Sequence, residues 1–161
     1  MLSCNHPIYL QHKYWMTRAL ELAESAGCCG EVPVGAIIVD GNGKLVAQAS
    51  NRKERDRNPT AHAEVLAIQK ACQSLNRPYL QDCTLYVTLE PCPMCAGAII
   101  HGRLRQLVYG ADDPKTGAIR TVMNLPDSAC SNHRLSVLSG ILELSCRQQL
   151  KDWFGDRRSL R

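Results

Sequence analysis

The sequence lacks the long apolar runs of membrane proteins, because its 161 residues contain no stretch of eighteen consecutive apolar residues. The first thirty residues also lack the basic start and continuous apolar stretch of a secretory signal. Internal repeats and low-complexity tracts are absent. We therefore expect a cytoplasmic protein without a membrane span.

A strong excess of charge is also missing. The net charge of +4 and the pI of about 8.6 indicate a mildly basic surface, which is compatible with nucleic acid but falls short of a dedicated binder. Short basic clusters occur at residues 52–57 and 157–161. Each cluster fits either an RNA contact or a solvated loop or tail.

The nine cysteines do not suggest a disulfide framework, because their number is odd and no secretory signal accompanies them. We expect free thiols and no structural disulfide. The hydrophobic content of 45% suffices for one core, so we predict a single domain over residues 1–161. Residues 1–12 are expected to be a flexible lead-in.

The patterns along the chain predict alternating helices and strands. Helical spacing covers residues 13–26. A short β-branched run at residues 34–39, turn residues at 40–43 and a second strand at 45–49 predict a hairpin. A helix beginning at His62, with Thr60 as its candidate cap, precedes a strand at 84–90 and a helix beginning at Cys92. Strands at 106–109 and 135–138 and a helix at 142–158 complete the chain.

These elements predict an α/β fold with a mixed five-stranded sheet and helices on both faces. The helical crossover between the strands at 84–90 and 106–109 favours parallel pairing. Ligand sites in such folds lie beyond the carboxyl ends of strands, which is where the helix beginning at Cys92 starts.

The chemically most informative residues are His62-Ala-Glu64 and Pro91-Cys-Pro-Met-Cys95. Cys92 and Cys95 lie on the same side of one helical turn, so both sulfurs can bind one ion. Pro93 suits the first turn of a helix, which places Cys92 at the N-cap and favours thiolates through the helix dipole.

His62 supplies a third ligand, and three ligands leave one position open for water, whereas structural zinc sites are usually closed by four. Glu64 is then an unligated proton shuttle. Taken alone, the cysteine pair fits a redox dithiol or half of a zinc knuckle, and His-x-Glu occurs by chance. A dithiol needs no distant His-Ala-Glu, and a knuckle needs a fourth ligand. The combination is the signature of zinc nucleobase deaminases.

Longer stretches of the sequence resemble the bacterial tRNA-specific adenosine deaminases of the cytidine deaminase-like zinc deaminase superfamily. The resemblance covers about residues 14–158 and is carried by residues 31–36, 51–52, 59–64, 88–101, 110–118 and 132–134. It implies a three-layer α-β-α fold that is cytidine deaminase-like. It also implies deamination of adenosine to inosine at the wobble position of an arginine tRNA, by a homodimer with one zinc ion per subunit.

The resemblance carries residue roles with it. The positions that match the zinc ligands of the family are His62, Cys92 and Cys95. Glu64 matches the general acid/base, and Asn51 matches the asparagine that hydrogen-bonds the nucleoside. Asp113 matches an aspartate near the nucleotide that precedes the target. Without the resemblance, Asn51 and Asp113 would be interpreted as turn residues.

Three positions depart from the family pattern. Pro93 makes a Cys-Pro-Met-Cys run that also resembles guanine deaminases, and Asp112 and Pro114 alter the loop expected to contact the anticodon. One alternative is therefore a deaminase of a free base or nucleoside such as guanine or cytosine. Another is a non-catalytic, zinc-stabilised RNA-binding subunit, which would not require Glu64.

The predicted reaction is hydrolytic. Glu64 takes a proton from a zinc-activated water and delivers it to N1 of adenine, while C6 is attacked. Glu64 then protonates the departing amine, and inosine remains. The target nucleotide has to leave its stack, which costs little in a single-stranded anticodon loop.

Overall fold

Helices and strands alternate along the chain, and the structure, a computed structural model, describes them over residues 6–159 except for the side chain of Ser159. None of the helices in this span is long and apolar enough to cross a membrane. The elements are α1 (Pro7–Cys28), β1 (Gly35–Val39), β2 (Leu45–Ser50), α2 (Ala63–Leu75), β3 (Thr84–Leu89), α3 (Pro93–His101), β4 (Gln106–Ala111), β5 (Ser136–Ser139) and α4 (Glu143–Ser159).

The five strands form one mixed sheet in the order β2-β1-β3-β4-β5. Strand β1 is antiparallel to both of its neighbours, whereas β3, β4 and β5 pair in parallel. The predicted hairpin and the predicted parallel crossover are both confirmed. Strands β2 to β5 therefore run in one direction, and their carboxyl ends meet the start of β1 at one edge of the sheet, which we call the carboxyl edge.

Helices cover both faces of the sheet, because the strand side chains alternate between two apolar clusters. Ala36 and Ile38 of β1 face the cluster that contains residues of α2 and α3. Ile37 and Val39 face the cluster that contains Met16 of α1 and residues of α4. The predicted three-layer α-β-α arrangement is confirmed.

The first helix begins six residues earlier than its hydrophobic spacing predicted. His6 is the N-cap and its side chain accepts a hydrogen bond from the N–H of Ile8, while Pro7 occupies the first turn. His12 is buried, and its Nδ1 lies 2.9 Å from the hydroxyl of Tyr86. The expected flexible lead-in is therefore wrong for residues 7–12, and residues 1–5 lie outside the described residues.

The cap predicted for α2 is also wrong. The N-cap residue is His62, and the hydroxyl of Thr60 instead donates a hydrogen bond to Oδ1 of Asn58 at 2.8 Å. Backbone bonding explains the difference, because the N–H of His62 donates to the carbonyl of Thr60 in a turn that precedes the helix. Thr60 thus stabilises the loop before α2 and not α2 itself.

The last helix is held against the first by polar contacts at its C-terminal half. Nε1 of Trp153 donates to the carbonyl of Gly27 at 3.2 Å, and Arg157 donates to the carbonyl of Gly30 at 2.8 Å. The guanidinium of Arg157 also stacks 4.0 Å from the centre of the Trp153 ring. These contacts fix α4 along the turn that follows α1.

Helix α1 approaches β1 so closely that only glycine fits at position 35. A Cβ atom there would lie 2.0 Å from the carbonyl oxygen of Ala19 and 2.9 Å from the backbone nitrogen of Ala23. Both neighbours are backbone atoms of a helix, which cannot move without displacing the whole element. Gly35 therefore sets the distance between α1 and the sheet.

We expect Gly35→Ala to lower the free energy of unfolding by at least about 2 kcal/mol, because the added methyl group overpacks the α1–β1 contact. Urea denaturation followed by circular dichroism measures this loss. Gly97→Ala is the control, since a Cβ atom at position 97 meets nothing within 4 Å and alanine favours the helix. Equal stability of the two variants would contradict the close-packing argument.

Candidate metal centre and substrate cavity

The three side chains expected to bind zinc meet at the carboxyl edge. The Sγ atoms of Cys92 and Cys95 lie 3.7 and 3.5 Å from Nδ1 of His62. All three ligand atoms lie within 4.8 Å of one another, and this is the one such group of His, Cys, Asp or Glu found among residues 6–159. The structure thus brings together residues that are 30 and 33 positions apart.

Two helix starts create this convergence. Cys92 is the N-cap of α3, with Pro93 in its first turn and Cys95 within that turn, as the sequence predicted. His62 is the N-cap of α2, and its side chain makes no capping hydrogen bond, which leaves the imidazole directed at the two sulfurs. Both helix dipoles favour negative charge at this point.

The donor set fits a zinc ion. One imidazole nitrogen and two thiolates are ligands that zinc prefers. Ligand atoms about 2.0–2.3 Å from one zinc ion in a tetrahedral arrangement are about 3.6 Å apart, and the nitrogen–sulfur distances of 3.5 and 3.7 Å match this spacing. Three ligands leave the fourth position free for a reactant.

The electrostatics of the cysteine pair favour a thiolate at Cys92. A hydrogen bond from the Cys95 thiol lowers the pKa of Cys92 to about 4, and a hydrogen bond from His62 contributes in the same direction. The same hydrogen bond with Cys92 raises the pKa of His62. A thiolate is the form of cysteine that binds metal. The hydrogen bond with Cys92 and burial raise the pKa of the Cys95 thiol, so Cys95 loses its proton only when a metal ion binds.

Glu64 lies in the first turn of α2, two residues beyond the histidine, and its side chain is buried. Burial raises its pKa to about 7, and the negative charge of Cys92 adds to this effect. A carboxyl group with a pKa near neutrality can both accept and donate a proton at pH 7. Glu64 is not among the three converging ligand atoms, so it remains available for proton transfer.

Asn51 follows β2 and joins two parts of the site. Its Oδ1 accepts a hydrogen bond from the N–H of Ala63 at 3.0 Å, and its Nδ2 donates to the carbonyl of Val32 at 3.2 Å. It therefore satisfies a free N–H in the first turn of α2. The amide retains one N–H and one lone pair, so a contact with substrate remains compatible with these bonds.

Glu90 follows β3 and organises the loop after β4. Its buried carboxylate accepts hydrogen bonds from the backbone N–H groups of Asp113, Ile119, Arg120 and Thr121, and from the Thr121 hydroxyl. Burial alone would raise the pKa of Glu90, but the donated hydrogen bonds outweigh it and hold the pKa below its usual value. An ionised carboxylate thus anchors residues 113–121 to the carboxyl edge.

Glu31 plays the corresponding part on the other side of the site. Its buried carboxylate accepts hydrogen bonds from the N–H groups of Glu54 and Arg55 at 3.2 and 2.8 Å. The basic loop at residues 52–57 is therefore not a free solvated segment. Its backbone is fixed relative to β1.

The loop after β4 contains the remaining predicted positions. The carboxylate of Asp113 accepts hydrogen bonds from the N–H groups of Lys115 and Thr116 and from the Thr116 hydroxyl. Asp112 accepts hydrogen bonds from Arg120 and from the Tyr109 hydroxyl, which explains the aspartate at this position. Asp113 therefore shapes its own turn through these bonds.

A cavity of about 200 Å³ opens over Glu64 and the ligands. Its walls come from five segments at the carboxyl edge, and the lining residues are Val32, Val34, Asn51, Lys53, His62, Glu64, Leu89, Glu90, Cys92, Asp113 and Thr116. All six predicted site residues except the fully buried Cys95 line this cavity.

The sequence did not predict that Glu31 and Glu90 anchor the loops after β2 and β4, or that Lys53 lines the cavity wall. A glutamate directly after the apolar run Thr84–Leu89 was the available signal for Glu90, because a carboxylate at the end of a buried strand requires donors. Nothing comparable distinguishes Lys53 from the other basic residues of its loop.

Comparison with known proteins places these features in a family. A model of the MafB19-like deaminases matches residues 10–154. A tRNA-specific adenosine deaminase of Haemophilus influenzae is 46% identical over 143 residues, which cover 89% of this chain and 83% of that protein. A solved structure from a study of A-to-I editing by tRNA:A34 deaminases at the wobble position is 41% identical, with a TM-score of 0.82 over 84% of this chain and 98% of the other.

Guanine deaminases also share the fold. One from Bacillus subtilis is 43% identical to this chain, with a TM-score of 0.61 over 63% of this chain and 64% of the other. The structure of a guanine deaminase from Nitrosomonas europaea is 25% identical to this chain and superimposes with a TM-score of 0.75. The alignment covers 92% of this chain and 93% of that one. The fold alone therefore does not separate an RNA substrate from a free base.

We expect Glu90→Gln to lower the free energy of unfolding by about 2–4 kcal/mol, because the amide nitrogen cannot accept the hydrogen bonds that one carboxylate oxygen accepts. Hydrogen exchange should show faster exchange of the amides of residues 113–121. The matched control is Glu143→Gln, which removes an exposed partner of Arg147 and should cost less than about 0.5 kcal/mol. Unchanged exchange in residues 113–121 would contradict the anchoring role of Glu90.

Proposed function

The chain belongs to the bacterial tRNA-specific adenosine deaminases, and from this membership we propose that it converts adenosine to inosine at the wobble position of an arginine tRNA in the cytoplasm. The single observation that carries the proposal is the buried Glu64 beside three converging ligands in one cavity. The family match over residues 10–154 supports the proposal that the chain is one deaminase domain.

We propose that His62, Cys92 and Cys95 hold one zinc ion per subunit. The spacing of the three ligand atoms and the low pKa of Cys92 support this assignment. When bound, the zinc ion supplies a Lewis acid that activates water for attack on the substrate.

Glu64 moves the protons of the reaction. Its carboxylate accepts a proton from the attacking water and delivers it to N1 of adenine. It then accepts the proton of the hydroxyl group formed at C6 and passes it to the amine, which leaves C6 as ammonia. Burial keeps its pKa near 7, so neither protonation state is strongly disfavoured at neutral pH. Val32, Val34 and Leu89 exclude bulk water from the cavity walls.

The size of the cavity supports a nucleotide that enters from a single strand. A volume of about 200 Å³ has room for a base and little more, so the rest of the RNA remains outside. Extruding a base from an anticodon loop costs less than extruding it from a duplex. Asn51 lies in the wall, where its free amide groups can bind the nucleoside, and Asp113 lies at the side expected to meet the preceding nucleotide.

A second candidate function is deamination of a free purine base. The structural similarity to guanine deaminase and the Cys-Pro-Met-Cys run favour it. A tRNA-specific adenosine deaminase is 46% identical over 89% of this chain, whereas the Bacillus subtilis guanine deaminase is 43% identical over 63% of it and the Nitrosomonas europaea enzyme is 25% identical. The greater extent of the first match favours RNA as the substrate.

The decisive experiment presents zinc-loaded protein with an arginine tRNA that has adenosine at the wobble position, and separately with free adenosine, guanine and cytidine. Mass spectrometry detects inosine, xanthine and uridine. We expect inosine in the tRNA alone. If a free base or nucleoside is converted and the tRNA is not, the proposed RNA substrate is wrong, although the reaction is still hydrolytic.

We expect Glu64→Gln to retain one zinc ion per chain and to lose at least about 10²–10⁴-fold in kcat, because it removes the proton carrier and no ligand. Cys92→Ala should lose both activity and zinc. Metal content by mass spectrometry and single-turnover rates separate the two effects. Full zinc in Cys92→Ala, or normal turnover in Glu64→Gln, would refute the corresponding role.

We also propose that the protein acts as a homodimer. Apolar side chains are exposed beside the metal centre, with Met94 at 36%, Met123 at 44% and Val122 at 52% of their full accessible surface. The N–H of Ala118 donates to the carbonyl of Pro91 at 2.9 Å, which joins the loop of Val122 to the start of α3. An exposed apolar surface of this kind is typical of a subunit interface.

Val122→Asp combined with Met123→Asp should convert the dimer to a monomer, because two buried charges oppose association. Analytical ultracentrifugation measures the mass of each species. Leu144→Asp is the control, since Leu144 is 78% exposed on α4 and carries no expected contact. A wild-type monomer at micromolar concentration would refute the dimer.

A further inference from the structure

Lys53 is the one lysine or arginine among the lining residues of the cavity over Glu64, as far as residues 6–159 show. None of the acidic side chains in the same walls is committed to pairing with Lys53. Glu64 and Glu90 are buried, and the Asp113 carboxylate is already bonded to Lys115 and Thr116. The Lys53 ammonium is therefore a cation at the rim without a committed partner in the cavity.

The backbone of Lys53 is fixed although its side chain is exposed. Its carbonyl accepts a hydrogen bond from the N–H of Asn58 at 3.0 Å, and the next two residues are held by Glu31. Its ammonium lies 3.5 Å from the carboxylate of Glu54, and the two side chains are 54% and 73% exposed. Such an exposed pair contributes little and is readily exchanged for a better anion.

The cavity volume determines which part of a nucleotide meets this cation. With room for about one base, the cavity leaves the sugar and its phosphates at the rim. A phosphate is a stronger partner for an ammonium group than a screened carboxylate on an adjacent flexible side chain. A free base or nucleoside brings no phosphate to this position.

We propose that Lys53 binds a phosphate adjacent to the target nucleotide and thereby makes the site selective for RNA over free nucleoside. This inference rests on the proposed deamination of RNA. Lys53 is then a specificity determinant at the cavity rim, and its charge acts on substrate binding and not on the chemical step.

The test compares Lys53→Met with wild type on a synthetic anticodon stem-loop carrying the target adenosine. We expect KM to rise about 5- to 20-fold with kcat within about twofold of wild type, because one charged phosphate contact is lost. The slope of log(kcat/KM) against log[salt] should become shallower by about one. Lys53→Arg should restore most of the affinity. Lys44→Met, which removes an exposed charge from the β1–β2 turn, is the matched control and should match wild type.

A chemical substitution in the RNA identifies the partner. A methylphosphonate replaces, in turn, the phosphate on each side of the target nucleotide and removes its charge. At one of the two positions, we expect the substitution to weaken wild type about as much as Lys53→Met does, and to weaken Lys53→Met no further. Additive losses at both positions would overturn the proposal.

Binding of the inosine-containing stem-loop, measured by fluorescence anisotropy, tests the proposal without turnover. A wild-type enzyme that produces no inosine would refute the proposed function. A wild-type enzyme whose affinity, KM and salt slope equal those of Lys53→Met would refute only the role of Lys53.

Discussion

The direction of the strands is the constraint on which the whole site depends. Strands β2, β3 and β4 all end at the carboxyl edge, so the segments that follow them converge there without long connections. Strand β1 runs the other way and begins at the same edge, which adds Val32 and Val34 to the cavity walls. Reversal of a six-residue strand would move its contribution by about 20 Å. Metal ligands, proton carrier and cavity walls are thus consequences of one topology.

Convergence of so many loops creates an electrostatic difficulty, because backbone N–H groups away from water need acceptors. Two glutamates supply them on opposite sides of the cavity. Glu31 binds the loop after β2, and Glu90 binds the loop after β4. The carboxylate of Glu90 accepts from several donors, which favours its charged form. The two glutamate carboxylates therefore hold the backbone of two loops, whereas the metal centre has its own anionic ligands, the cysteine sulfurs.

Much of this structure could be predicted from local patterns in the sequence. The hairpin, the parallel crossover, the N-cap position of Cys92 and the three-layer arrangement were all predictable, because each depends on residues close in sequence or on a general rule of connection. The start of α1 and the role of Thr60 were not. Both depend on which side chain accepts a hydrogen bond from a backbone N–H. The structure shows that His6 accepts from Ile8 and that Asn58 accepts from Thr60. The same limit applied to Glu31 and Glu90, whose partners lie in distant segments, and to Lys53, which lines a cavity that distant segments form.

The pairing of α1 with α4 has a consequence for how the protein is made. Gln149, Trp153 and Arg157 bond to carbonyls of α1 and its following turn that lie 126 to 129 residues earlier in the chain. During translation, α1 can pack its apolar face against Ile37, Val39 and Tyr86 of the sheet, but the turn that follows α1 lacks its α4 partners until that helix is made. The buried residues of the opposite cluster end at Ile119 and include none from α4, so that cluster is synthesised sooner. The sheet face beside α1 therefore stays partly uncovered, and the carbonyls of Gly27 and Gly30 lack these donors, until α4 has been synthesised.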